Sequence, residues 1–148
     1  MRDAAREKRR AVWRCPKCKA RLVTRNMWHS CGRFTLEALF RASTPRTLRL
    51  ARKFVALLRE LGDVQVLVQK TRLVCVARVR FAGLVPRKDH FLVGFALRRR
   101  LTHARIIRHE DFGPRWRAHW VAVRSERDLD AQLRRWLRMS CDTVGAQR

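Results

Sequence analysis

The spacing Cys15-x₂-Cys18-x₁₀-His29-x-Cys31 constrains what this chain can fold into more than any other feature. Zn²⁺ takes four ligands in a tetrahedron, drawn from thiolate sulfur and imidazole nitrogen. A C-x₂-C pair offers two sulfurs from one tight turn, and Pro16 fixes φ directly after the first of them. His29 and Cys31 are two apart, so in an extended chain their side chains point the same way and can close the cage. The ten residues between the two pairs leave room for a small hairpin. A module of about twenty residues cannot bury a core of its own, so the metal is expected to carry its folding. Three thiolates around Zn²⁺ leave a net negative site. Arg14, Lys17, Lys19, Arg21 and Arg25 lie close enough in sequence to offset that charge and to lower the thiol pKa values. The expected product is one structural Zn²⁺ per chain, held by Cys15, Cys18, His29 and Cys31, with no open position for catalysis. A C-x-x-C redox couple would need a thioredoxin-like βαβ setting, and nothing here supplies one.

Charge is the second constraint. The 148 residues carry 36 bases and 12 acids, a formal net charge of +24, which favours polyanionic partners. Arginine outnumbers lysine thirty to six, as GC-rich coding would produce, but that bias does not explain the shortage of acids. Apolar residues make up 47%, enough for a packed interior. No apolar run approaches a membrane span, and the charged N-terminus lacks the apolar stretch of a signal peptide. The expected compartment is cytoplasmic, where clustered thiols stay reduced and serve as ligands rather than disulfides.

The organisation follows from patterning. Residues 1–12 read as a basic arm, 13–33 as a zinc-ribbon-like module, and 34–148 as an α+β domain. In that domain Thr35 to Phe40 can make one or two helical turns. A stronger helix opens with Thr44 as cap and Pro45 at its first position, carries the stripe Leu48, Ala51, Val55, Leu58 and Leu61, and stops at Gly62. Strand patterns follow at 64–68, 73–81, 90–98, 104–109 and 115–123, the last with Trp116, Ala118 and Trp120 on one side. A final helix is expected from Ser125, with Asp128 as its capping-box partner and Leu129, Leu133, Trp136 and Leu137 as its buried stripe. The fold class is therefore α+β, a mostly antiparallel sheet of about five strands packed by helices. Cys75 falls on an apolar strand face and reads as an inert core residue. Cys141, beyond the last helix, reads as a free thiol or a distant replacement ligand.

The runs Trp13-Arg14-Cys15-Pro16-Lys17-Cys18 and Arg25-Asn26-Met27-Trp28-His29-Ser30-Cys31-Gly32-Arg33-Phe34-Thr35-Leu36-Glu37 resemble the front of an uncharacterised bacterial family. Gln69-Lys70-Thr71-Arg72, Ala77-Arg78-Val79-Arg80-Phe81-Ala82-Gly83 and Pro86-Arg87-Lys88-Asp89-His90 resemble its main domain, catalogued as domain of unknown function 5655. The resemblance runs from Trp13 to about Leu137. It implies a zinc-ribbon-like front and a compact α+β domain, and it brings no established activity.

Two surfaces are candidates for a polyanion. The module could present Lys17, Lys19, Arg21, Arg25 and Arg33 to phosphates, with Trp13 or Trp28 stacking on an unpaired base or covering the zinc knuckle. In the main domain Lys70, Arg72, Arg78, Arg80 and Arg117, with Arg98, Arg115 and His119, either converge into an anion-binding cleft or line a solvated sheet rim. The cysteine spacing does not match a C₂H₂ finger, so single-stranded or structured nucleic acid is the expected target. Protein-interaction adapter and small-anion binder are the alternatives. His90, His103, His109 and His119 form no diagnostic pair. The absence of a phosphate-binding glycine loop, a G-x-S-x-G elbow and an H-E-x-x-H helix points away from an enzyme.

Overall fold

A computed structural model describes residues 12–22, 25 and 29–146. Most of the basic arm, and Trp28, lie outside the described residues. At the front, β1 (Trp13–Arg14) and β2 (Arg21–Leu22) pair antiparallel as the small hairpin that holds the cysteine knuckle. The short helix α1 (Leu36–Leu39) is capped by Thr35, whose side chain accepts from the Ala38 N–H. Helix α2 (Pro45–Arg59) begins where the sequence places it, because Thr44 Oγ1 accepts from the Thr47 N–H and Pro45 needs no donor there. Its end is marked by Gly62, whose φ of +111° suits a residue without a Cβ.

Six strands then form one antiparallel sheet: β3 (Gln65–Val68), β4 (Leu73–Val76), β5 (Arg80–Pro86), β6 (Phe91–Leu97), β7 (Ile106–Asp111) and β8 (Arg117–Val123). Their spatial order is β3-β4-β5-β6-β8-β7, so β3 and β7 are the edges. Helix α2 and the C-terminal helix α3 (Ala131–Ser140) supply buried residues to one core with the sheet. Phe54 and Leu58 of α2 and Leu133 and Leu137 of α3 share it with Phe91 and Phe95 of β6. Alternation along β6 and β8 assigns Phe91, Val93, Phe95 and Leu97, with His119, Val121 and Val123, to this covered face. Leu92, Gly94, Ala96, Ala118, Trp120 and Ala122 therefore belong to the opposite face.

The fold class is the expected one, and three details differ. The segment 73–81, expected as one strand, is two, with the turn between them held by the Gly145 carbonyl, which accepts the N–H groups of Arg78 and Val79 at 2.9 Å each. The sheet consequently has six strands rather than about five. The register shifts between β4 and β5, with Cys75 opposite Ala82 but Val76 opposite Arg80. Phe81 is the extra residue of a bulge. Both Phe81 and Ala82 enter the core, and Arg80 is left to line the other face.

The last difference concerns the final helix. Ser125 and Asp128 do form a capping box, but it opens only a short 3₁₀ turn, Glu126–Asp128. Asp130 caps α3 itself, its carboxylate accepting from the Leu133 N–H at 2.9 Å. Cys141, expected beyond the helix, continues it into a wider π-type turn (Cys141–Gly145) and is buried, as is Cys75. Neither is near the cysteine module's donor set, and all five cysteines are free thiols.

Candidate metal centre and basic surfaces

The donor atoms of Cys15, Cys18, His29 and Cys31 all lie within 4.8 Å of one another. For metal–sulfur bonds of about 2.3 Å, adjacent ligands of a regular tetrahedron stand about 3.8 Å apart. The Cys15 and Cys31 sulfurs are 3.8 Å apart, and Cys18 Sγ is 3.2 Å from His29 Nε2. Four residues therefore stand where they could hold a metal ion.

Local backbone chemistry builds the cage. The Lys19 N–H bonds the Cys15 carbonyl at 2.8 Å, and the Cys15 N–H bonds the Ala20 carbonyl at 3.0 Å, folding the chain back around the first pair. Lys19 takes the left-handed φ of +64° that this turn demands. On the other side Cys31 and Gly32 are both left-handed, at +51° and +73°, and the Arg33 N–H reaches back to the Ser30 carbonyl. Gly32 is the residue type that holds such a conformation without strain.

The thiols are not equivalent. Backbone N–H donation from Cys18, opposed by burial and helped by the Lys17 N–H, lowers the Cys15 thiol from 9.0 to about 6. The Cys31 thiol is raised, by burial first and then by its contacts with Cys15 and Cys18. The resolved lowering thus comes chiefly from backbone dipoles, not from the lysine and arginine charges the sequence suggests.

The module is joined to the domain through the start of β3. The Gln65 side chain clamps it from both ends of its amide: Oε1 accepts from the Arg21 N–H at 2.7 Å, and Nε2 donates to the Lys19 carbonyl at 2.7 Å. Arg21 completes the joint, pairing with Asp63 and donating to the carbonyls of Asp63 and Ala77. Its side chain is only 10% exposed, and that pairing holds the Asp63 carboxyl below its usual range. Replacing Gln65 by Ala removes both clamps, at a cost of about 2 kcal/mol for two hydrogen bonds. Hydrogen exchange at the Arg21 amide should accelerate while β5 and β6 stay protected. Unchanged exchange would show that the module is held by other means.

The remaining basic candidates separate into groups. Lys17, Lys19, Arg25 and Arg33 are exposed on the module, with Arg33 Nε also donating to the Ser30 carbonyl at 3.1 Å. Trp13 is half-buried in β1. Lys70 and Arg72 are exposed in the β3–β4 turn. Arg72 and Arg80 line one groove, on the face of the sheet turned away from the helices. Arg78 is half-buried beside the Gly145 turn. Arg117 lies elsewhere, on the covered-face side of β8, paired to Asp111 at 3.1 Å.

A cleft uniting Arg78, Arg80, Arg117 and His119 does not form, because strand parity sends them to different faces. His119 is fully buried, stacked on Phe95 with ring centres 5.3 Å apart, and its Nε2 accepts from the Leu101 N–H at 2.9 Å. Burial, and then the neighbouring His109, lower its pKa and favour the neutral ring.

Sequence reasoning passed over the groove itself. About 590 Å³ in volume, it is floored by small residues of β5, β6 and β8, and Arg87 and Arg108 join its rim. The signal was present as Gly83, Gly94, Ala96 and Ala118, small residues at positions that alternation assigns to one face. No helix among the described residues is long and apolar enough to cross a membrane. No family model, curated protein or solved structure matches the chain.

Proposed function

We propose that this chain is a non-enzymatic basic protein, stapled by one structural zinc ion, that binds single-stranded or structured nucleic acid through phosphate contacts. The donor set supports zinc: three soft thiolates and an imidazole suit Zn²⁺ and not the oxygen-seeking Mg²⁺ or Ca²⁺. Four protein ligands fill the tetrahedron, so the ion's role is to hold the hairpin and its neighbouring loop together.

One observation carries the nucleic-acid reading. Twelve acids face thirty-six bases, and the acids among the described residues are already engaged. Among the described residues eight of the ten acids pair with a lysine or arginine, Asp89 bonds the His90 ring, and Asp128 accepts the N–H groups of Arg124 and Ser125. The excess of bases thus has no internal carboxylate left to neutralise it, and a polyanion is the partner that would.

The test is fluorescence anisotropy with labelled single-stranded oligonucleotides over a salt series. With about five phosphate contacts the slope of log affinity against log salt is about −3.5, so a fourfold rise in salt weakens binding about a hundredfold. Binding that ignores salt, or that heparin matches, would overturn the reading. A discrete protein partner that survives nuclease treatment would favour an adapter instead.

A further inference from the structure

The sheet has two faces and the helices cover one. The other carries the groove, whose floor is smooth because Gly83 of β5 and Gly94 of β6 are directly opposed across the strand pair. Trp120 lies across Gly94 so closely that a Cβ placed there would stand 2.9 Å from the indole ring. Its buried Nε1 donor has no hydrogen-bond partner among the described residues.

Phe112 and Trp116, around the β7–β8 turn, and Ile107 of β7 all line the groove. These are the exposed large apolar residues of the described chain, at 60%, 36% and 58% exposure. Single exposed apolar residues are ordinary on any protein, but three bordering one concave apolar floor mark a binding surface. At the rim stand Arg72, Arg80, Arg87 and Arg108. The one acid in the lining, Glu110, is already paired to Arg108. Among the described residues no carboxylate pairs with Arg72 or Arg80, and the pKa of Arg80 is lowered, by desolvation first and then by the charge of Arg72. Both guanidinium groups line the groove and both residues are exposed, so they can meet an arriving anion.

We propose that this open face is where the protein holds unpaired bases of a single strand. A base stacks in the groove beside Trp116 and Phe112, and phosphates farther along the same strand meet Arg80, Arg72 and Arg87. The inference rests on the nucleic-acid reading above and places its specificity in the sheet rather than in the zinc module. Charge complementarity selects the occupant: planar apolar rings joined by anionic links match an apolar floor bordered by aromatic side chains and guanidinium groups. A duplex keeps its base faces stacked inside and cannot use the floor.

The full chain is titrated with oligo(U), oligo(A) and a blunt hairpin duplex in anisotropy. The double variant Phe112→Ala/Trp116→Ala changes exposed positions, and its thermal midpoint is measured alongside. It should lose about tenfold or more in single-strand affinity with its salt slope unchanged. The variant Arg72→Gln/Arg80→Gln should instead make the slope shallower by about 1.4, two phosphate contacts' worth on a single strand. Wild-type protein should prefer the single strands over the duplex.

If wild type binds with the expected salt dependence but the aromatic variant binds equally well, the open-face site is overturned and the general reading stands. If wild type binds no nucleic acid, both fall. If wild type sediments as a dimer that Phe112→Ala/Trp116→Ala converts to a monomer, the face is a self-interface and the proposal is overturned.

Discussion

Cys31→Ser should strip the chain of its metal and unfold the segment from Trp13 to Arg33 while the six-stranded sheet stays intact. A hairpin of two-residue strands, β1 and β2, has no core of its own, so metal binding is its folding energy. Structural Zn²⁺ in small modules is worth about 10–16 kcal/mol at neutral pH, far more than the contacts through Gln65 and Arg21 provide. Serine tolerates the left-handed backbone at position 31 about as poorly as cysteine, so the change tests the ligand and not the turn. Metal analysis of protein purified without a metal-affinity column should fall from about one zinc per chain to far below one. Amide signals of residues 13–22 should collapse to random-coil positions. A zinc-free chain with this segment still folded would sink the assignment.

Gly83→Ala should be the most destabilising single-methyl change in the sheet. A Cβ at Gly83 would stand 2.4 Å from the Leu73 carbonyl oxygen, an atom of the neighbouring strand's backbone that cannot rotate away. Either β4 or β5 must shift, and both contribute to the core, so the cost is about 3 kcal/mol. For a domain of this size that lowers the midpoint of thermal unfolding by about 10 °C. Gly94→Ala provides the contrast. Its clash is with the indole of Trp120 at 2.9 Å, on the uncovered face where the ring has room to turn. It should cost about 1 kcal/mol and perturb the groove more than the fold. Equal midpoints for the two variants would show that β4 and β5 do not pack as tightly as the Leu73 contact requires.

What could be read from the residues alone was whatever depends on near neighbours. The metal donor set needed only spacing and ligand chemistry, and its four members do converge. The start of α2 needed only Thr44 and Pro45. The inward set Phe91, Val93, Phe95 and Leu97 needed only alternation. Features set by distant partners stayed hidden. Residues 73–81 have apolar side chains at every second position and no proline or glycine, so nothing local signals the break. The turn there is made by the carbonyl of Gly145, more than sixty residues away.

Arg21 looked like a phosphate contact because its neighbours are basic. It is instead the pin between module and domain, since Asp63 and Ala77 arrive from elsewhere. Trp116, just before β8, and Trp120 in it both line the groove, as the alternation expects. Which side the helices would leave open depends on where α2 and α3 dock, and periodicity within a single strand carries no information about that. His119 shows the same limit in reverse. An imidazole that follows Arg115 and Arg117 at alternate positions reads as part of a basic cleft, yet it shares the covered face with Val121 and Val123 and sits in the core.

The docking of the module at Gln65 has a bearing on solubility. A sheet edge is an invitation to another chain's edge, and this sheet has two. β7 guards itself with the run Arg108, His109, Glu110 and Asp111, charges that oppose a second strand. β3, Gln65-Val66-Leu67-Val68, has no charge at all and the composition of an aggregation-prone segment. Its protection is brevity and the cysteine hairpin seated at its first residue. If the module holds the proposed zinc, losing the ion would free the hairpin from Gln65 and leave this apolar edge less guarded against strand pairing between molecules.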